Sequence, residues 1–66
     1  MSFTVIFQNK EETKDFKEGL TIQDVLDDLD LSSETVVPKQ NGDIVVEDTE
    51  IQDGDEIKLI QIIYGG

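Results

Sequence analysis

No cysteine, no histidine and no arginine occur in this 66-residue chain. Without thiols there is neither a disulfide nor a thiolate zinc site to staple the fold, and no redox compartment can be read from cysteine usage. Stability must come from packing and backbone hydrogen bonds. Without imidazole or thiol there is no Ser-His or Cys-His nucleophile and no imidazole base, so the chain is not expected to be an enzyme in its own right. No apolar run approaches the roughly 18 residues that a membrane span needs, and no basic region opens onto a hydrophobic stretch at the N-terminus. The expected location is cytoplasmic, with no membrane partner.

Positive charge is also scarce: five lysines stand against sixteen carboxylates, for a net charge of −11. Such a surface repels phosphate backbones and anionic lipids, which excludes nucleic acid as a natural partner and leaves a protein with a basic docking face as a better one. The same acids also serve solubility alone. High charge with modest hydrophobicity is in addition the signature of disorder, and only the periodicities argue against that reading. At this length the chain makes one domain, burying only about 60% of the surface its unfolded form exposes.

Those periodicities are plain. Phe3, Val5 and Phe7 alternate with Ser2, Thr4 and Gln8, interrupted only by Ile6, which predicts a first strand with one buried face. Residues 9–12 read as a polar turn and 13–17 as a second strand anchored by Phe16. After Gly19, Thr21 is placed to cap a helix with Asp24 three residues on, and Ile22, Val25, Leu26 and Leu29 follow at helical spacing for about three turns. Gln23, Asp24, Asp27, Asp28 and Asp30 take the wet face, and the helix is expected across the sheet. A third strand begins at Thr35-Val36-Val37 and contains the only proline, Pro38. Since proline cannot donate to a ladder, either the strand is short or the missing N–H faces solvent.

Asn41-Gly42 is a strong hairpin signal because both central residues of a type I′ turn need positive φ, and Ile44-Val45-Val46 resumes after it. Ile51 is an isolated apolar anchor. Asp53-Gly54-Asp55 reads as a tight turn; a calcium loop would need further oxygen ligands and a closing Glu that the spacing does not supply. A last β-branched run, 57–64, leads directly into Gly65-Gly66. The fold class this order predicts is α+β, one helix packed on a mixed sheet of about four to five strands.

In the last strand, Ile57 and Leu59 are assigned to the core, because Lys58 must then point to water. Ile60, Ile62 and Tyr64 share the face of Lys58, so an apolar row is expected on the open side of the sheet, running into the glycines. The competing expectation is that a loop or Ile6 covers that row. A Gly-Gly ending alone reads equally as a frayed terminus or a linker remnant. With no Cβ, however, it also threads a narrow cleft and presents its last carboxylate to another enzyme.

Taken together, the opening strand, the capped helix, the Asn41-Gly42 hairpin, the Asp53-Gly54-Asp55-Glu56-Ile57 turn and Ile62-Ile63-Tyr64-Gly65-Gly66 make the chain resemble the ubiquitin-like β-grasp superfamily. Within it, the chain is most similar to the small sulfur-carrier proteins of thiamine and molybdopterin synthesis, and its short length to the thiamine type. The resemblance implies a β-grasp domain over 1–64 and a reactive tail, 65–66. It implies that Gly66, with Gly65 giving clearance, is adenylated by an E1-like enzyme and converted to a thiocarboxylate, with ATP and Mg²⁺ supplied by that partner and none bound by the chain itself. A persulfide sulfur donor and a sulfur-accepting synthase, such as thiazole synthase or the molybdopterin synthase large subunit, are the further partners implied; related tRNA thiolation is another destination. Two alternatives stay open: conjugation of Gly66 to lysines of other proteins, as a ubiquitin-like modifier, and a β-grasp binding module that is never activated.

Overall fold

A computed structural model describes residues 1–62. The sheet begins with β1 (Ser2–Phe7), which buries Phe3 and Val5. The chain then reverses through only two residues, Gln8 (φ 51°) and Asn9 (φ 65°), whose paired positive φ values are those of a type I′ turn. β2 (Lys10–Asp15) therefore starts earlier than the expected 13–17, with Phe7 opposite Lys10 and Ser2 opposite Asp15. The reason is local: Asn tolerates the left-handed region, and two-residue reversals match the twist of paired strands, so no longer polar turn is needed. Phe16 lies just past β2, half-buried against the core, and its N–H donates to the Met1 carbonyl (3.1 Å).

The helix α1 (Ile22–Asp28) is capped as the sequence predicts. Asp24 N–H donates to Thr21 Oγ1 (3.3 Å) while Asp24 Oδ2 accepts from Thr21 N–H (2.9 Å), a capping box with Asp in the reciprocal position. Two further N–H groups of the first turn, those of Ile22 and Gln23, reach the carbonyls of Thr49 (3.0 Å) and Glu47 (2.9 Å). At seven residues the helix is shorter than the three turns expected. Its end is set by Asp30 in the left-handed region (φ 57°), with Leu31 N–H donating to Leu26 C=O (2.8 Å) and Asp30 N–H to Asp27 C=O (3.2 Å). This is the Schellman closure, and it stops the helix at Leu29 while folding Leu31 back onto the core.

β3 (Val36–Gln40), the Asn41-Gly42 turn (φ 52° and 91°), β4 (Asp43–Ile44) and β5 (Glu56–Gln61) complete a five-stranded sheet in the order β2-β1-β5-β3-β4. β1 and β5 run parallel at its centre and every other pairing is antiparallel. Pro38 is thus interior, between β5 and β4, rather than turned to solvent. Its carbonyl accepts from Val45 N–H (3.1 Å), so its missing N–H also faces β4. The ladder cannot continue there, and β4 ends at Ile44 instead of running through the expected Val46.

Ile22, Val25 and Leu26 from α1 pack on Phe3, Val5, Val36, Ile57 and Leu59 from the sheet, and the core is closed by Ile51. Ile51, isolated in the sequence, is anchored by its N–H donating to Leu20 C=O (2.8 Å). One helix on one face of a mixed sheet is the α+β architecture expected, and the other face of the sheet has no layer over it among the described residues. Among the described residues no helix is long and apolar enough to cross a membrane.

Candidate functional site

Alternation along β5 divides its side chains as the sequence predicts. Ile57 and Leu59 are 0% and 3% exposed, whereas Lys58 is exposed and Ile60 and Ile62 keep 38% and 37% of their surface. Within the described residues, neither a loop nor Ile6 covers Ile60 and Ile62. The ladder holds the chain in place as far as Ile62, whose N–H donates to Thr35 C=O at 2.7 Å. Tyr64, Gly65 and Gly66 lie outside the described residues.

The open face is wider than β5. In the parallel ladder Ile6 stands beside Lys58, on the other side Lys39 stands opposite Lys58, and Lys39 in turn faces Ile44, which is 70% exposed. Val37 is opposite Ile60 in the next row. The surface is therefore an apolar patch of Ile6, Val37, Ile44, Ile60 and Ile62 around two lysines. Sequence reasoning missed Val37, Lys39 and Ile44. One signal was available, because a two-residue turn at Asn41-Gly42 forces Lys39 opposite Ile44. The adjacency of β1 to β5, which brings in Ile6, had no local signal.

The charge is unevenly spread. Carboxylates crowd the helix side, where Asp24, Asp27, Asp28 and Asp30 are exposed, so a basic partner surface would meet that side and not the apolar patch. Between β2 and α1 there is an open cleft of about 500 Å³ lined in part by Phe3, Lys14, Leu20, Asp24 and Asp28. Its charged walls are tied to each other, Lys14 Nζ lying 3.1 Å from Asp28 Oδ2, and the hydrogen bond to Asp28 holds the Lys14 ammonium above its ordinary range. No residue of β5 lines the cleft.

What aims β5 is a polar knot at its start. Asp55, 8% exposed, accepts from Asn41 Nδ2 (2.9 Å), Gln52 N–H (2.8 Å) and Gln40 Nε2, while Asn41 Oδ1 accepts from Glu56 N–H (3.0 Å). Asp53 is used as well: its Oδ1 accepts from Ser2 N–H (2.9 Å). Both aspartates of the Asp53-Gly54-Asp55 turn are thus engaged in joining strands, and no group of three candidate metal ligands gathers among the described residues. Burial alone raises the Asp55 carboxyl, but the hydrogen bonds from Asn41, Gln52 and Gln40 outweigh it and hold the group below the ordinary aspartate value.

A depressed folded-state value means stability that is present above the unfolded-state value, near pH 4, and lost as pH falls through the folded one. Asp55→Ala is expected to cost about 1.5 to 3 kcal/mol at neutral pH, by stranding its donors. The comparison of urea midpoints for wild type and Asp55→Asn between neutrality and pH 3 checks the sign: their gap should narrow on acidification, and a constant gap would show that the charge on Asp55 is immaterial.

Similarity to known proteins agrees with this geometry. The ThiS family model matches residues 4–66. SAMP1 from Haloferax volcanii superposes with a TM-score of 0.77 at 18% identity, with all of both chains covered. A putative molybdopterin converting factor, subunit 1, from Pyrococcus furiosus gives 0.75 at 18% identity over 94% of this chain and 98% of that one. The thiamine biosynthesis protein ThiS from Geobacter metallireducens gives 0.65 at 25% identity over 96% and 99%. The fold is accordingly the ubiquitin-like β-grasp.

Proposed function

The chain belongs to the ThiS family, and from that premise we propose that it is a sulfur carrier acting through Gly66 as its terminal residue. The observation that carries the reading is the family match through residue 66 together with an exposed apolar face on the strand that leads into Gly65-Gly66. An E1-like enzyme of the cytoplasm docks on that face and supplies ATP and Mg²⁺. A carboxylate oxygen of Gly66 attacks the α-phosphorus and pyrophosphate leaves; the outer sulfur of a persulfide donor then attacks the acyl carbon, AMP leaves, and the resulting acyl disulfide is cleaved by a second thiol, which forms a disulfide with the donor's sulfur and frees the thiocarboxylate. This chain's own contribution is positioning. β5, fixed by the Asp55 knot at one end and by Thr35 at the other, makes the encounter of the tail with the nucleotide effectively intramolecular once the patch is seated. A synthase such as thiazole synthase or the molybdopterin synthase large subunit accepts the sulfur.

Intact mass spectrometry of the protein from its native host tests the reading directly. Replacement of one terminal oxygen by sulfur is the expected result; Gly-Gly remnants branched from lysines of other proteins, with no sulfur on the tail, would assign it instead to protein modification. The docking face has its own test. Ile60→Thr keeps a β-branched residue in the strand but removes apolar contact, and is expected to weaken binding of the activating enzyme by about 1 to 3 kcal/mol. Titration calorimetry with unchanged affinity would remove Ile60 from the interface.

A further inference from the structure

Lys39 and Lys58 are directly opposite each other in the antiparallel β3–β5 ladder, with Ile6 and Ile44 outside them in the same row. Like charges at opposed positions destabilise a sheet. Relief was easy to come by, since sixteen of the 66 residues are carboxylates, yet among the described residues the ion pairs belong to Lys14 and neither of these two lysines has one. The carboxylates of the strands that share this face, Glu56 two residues before Lys58 and, on the edge strand β2, Glu11 opposite Ile6 and Asp15 opposite Ser2, stand toward its margins. An acidic chain has thus concentrated two of its five lysines in the middle of its apolar surface, against its own stability.

We propose that this pair is a recognition element, and that the partner seated on the open face presents a carboxylate, set within an apolar surface, to Lys39 and Lys58. This rests on the reading that the activating enzyme docks here, and names the chemistry of its docking surface. A carboxylate between two ammonium groups turns their repulsion into attraction only in the complex, and apolar surroundings that exclude water strengthen the contact. The overall negative field then disfavours non-specific acidic surfaces, while the lysine pair selects the one that has both features.

The test uses the full chain and the E1-like adenylating enzyme purified from the same host, following ATP-dependent pyrophosphate release. Lys39→Glu combined with Lys58→Glu is expected to raise KM by about 100-fold or more with little change in kcat, because like charges are then juxtaposed across the interface. Lys10→Glu with Lys17→Glu alters net charge equally but outside the patch, and should leave KM within about twofold. The single change Lys58→Glu should raise KM by about tenfold and yet raise the thermal midpoint by about 2 to 5 °C, since it relieves the cross-strand repulsion. A purely structural lysine would not move those two readouts in opposite directions.

A double reversal that leaves KM unchanged while Ile60→Thr raises it overturns the lysine inference and spares the docking face. A lower KM for the double reversal means a basic partner surface and overturns it as well. If neither Ile60→Thr nor the lysine changes affect KM, the docking reading itself fails.

Discussion

Deletion of Gly66 is expected to abolish ATP-dependent activation while leaving the thermal midpoint of the domain unchanged within error. The argument is one of reach. One residue fewer shortens the reach of the terminal carboxylate by up to about 3.3 to 3.6 Å, and a misplacement of about 1 Å already costs on the order of 100-fold in rate. Activation of the shortened chain should therefore fall below detection in a pyrophosphate-exchange assay. Gly66→Ala keeps the reach but adds a Cβ beside the carbonyl that sulfur must attack, so a large partial loss is expected there, with Gly65→Ala somewhat milder. The fold has no stake in either change, because the buried core among the described residues ends at Leu59 on β5. A deletion variant that still forms an adenylate would dispose of Gly66 as the reacting residue.

The second large effect separates two side chains three residues apart. Ile57 is fully buried beneath α1, whereas Ile60 lies on the open face. Truncation of a buried isoleucine costs about 2 to 5 kcal/mol through lost transfer energy and the cavity left behind. A domain of this size holds only about 3 to 10 kcal/mol in total. Ile57→Ala is therefore expected to be largely unfolded or to lose much of its cooperative transition, in urea titrations followed by far-ultraviolet circular dichroism. Ile60→Thr should unfold within about 1 kcal/mol of wild type while binding the partner more weakly by about 1 to 3 kcal/mol. The reverse pattern, a folded Ile57→Ala and an unfolded Ile60→Thr, would mean that the faces of β5 are exchanged, since a register slip of one residue moves every side chain to the other side.

The reading of β5 was legible because a strand has a period of two and one interior lysine sets its phase. Thr21 and Asp24 were legible for a comparable reason: a capping box is a contact between residues three apart, and Asp serves in it as Glu does. The second strand was misplaced because Lys10–Asp15 has no large apolar residue and the Gln8-Asn9 reversal has no glycine, so neither periodicity nor turn chemistry marked its start. The helix was overestimated because Leu29 continues the apolar stripe although the backbone leaves the helix there; the stripe records burial, and Asp30 in the left-handed region records the end. Asp55 was legible as a turn residue but not as a buried acceptor, because two of its three donors come from Gln40 and Asn41, fifteen and fourteen residues away.

By itself the sequence determined what short-range physics controls: an α+β chain, the helix cap, the Asn41-Gly42 reversal with its pairing of Lys39 and Ile44, and the division of β5 into a buried and an exposed row. Only the tertiary structure decided which strands are neighbours. The parallel pairing of β1 with β5, from opposite ends of the described chain, brings Ile6 to Lys58, and the antiparallel pairing of β3 with β5 brings Lys39 to the same place. Such pairings depend on burying Phe3, Val5, Ile57 and Leu59 together under one helix, a requirement of the whole core that no window along the chain contains.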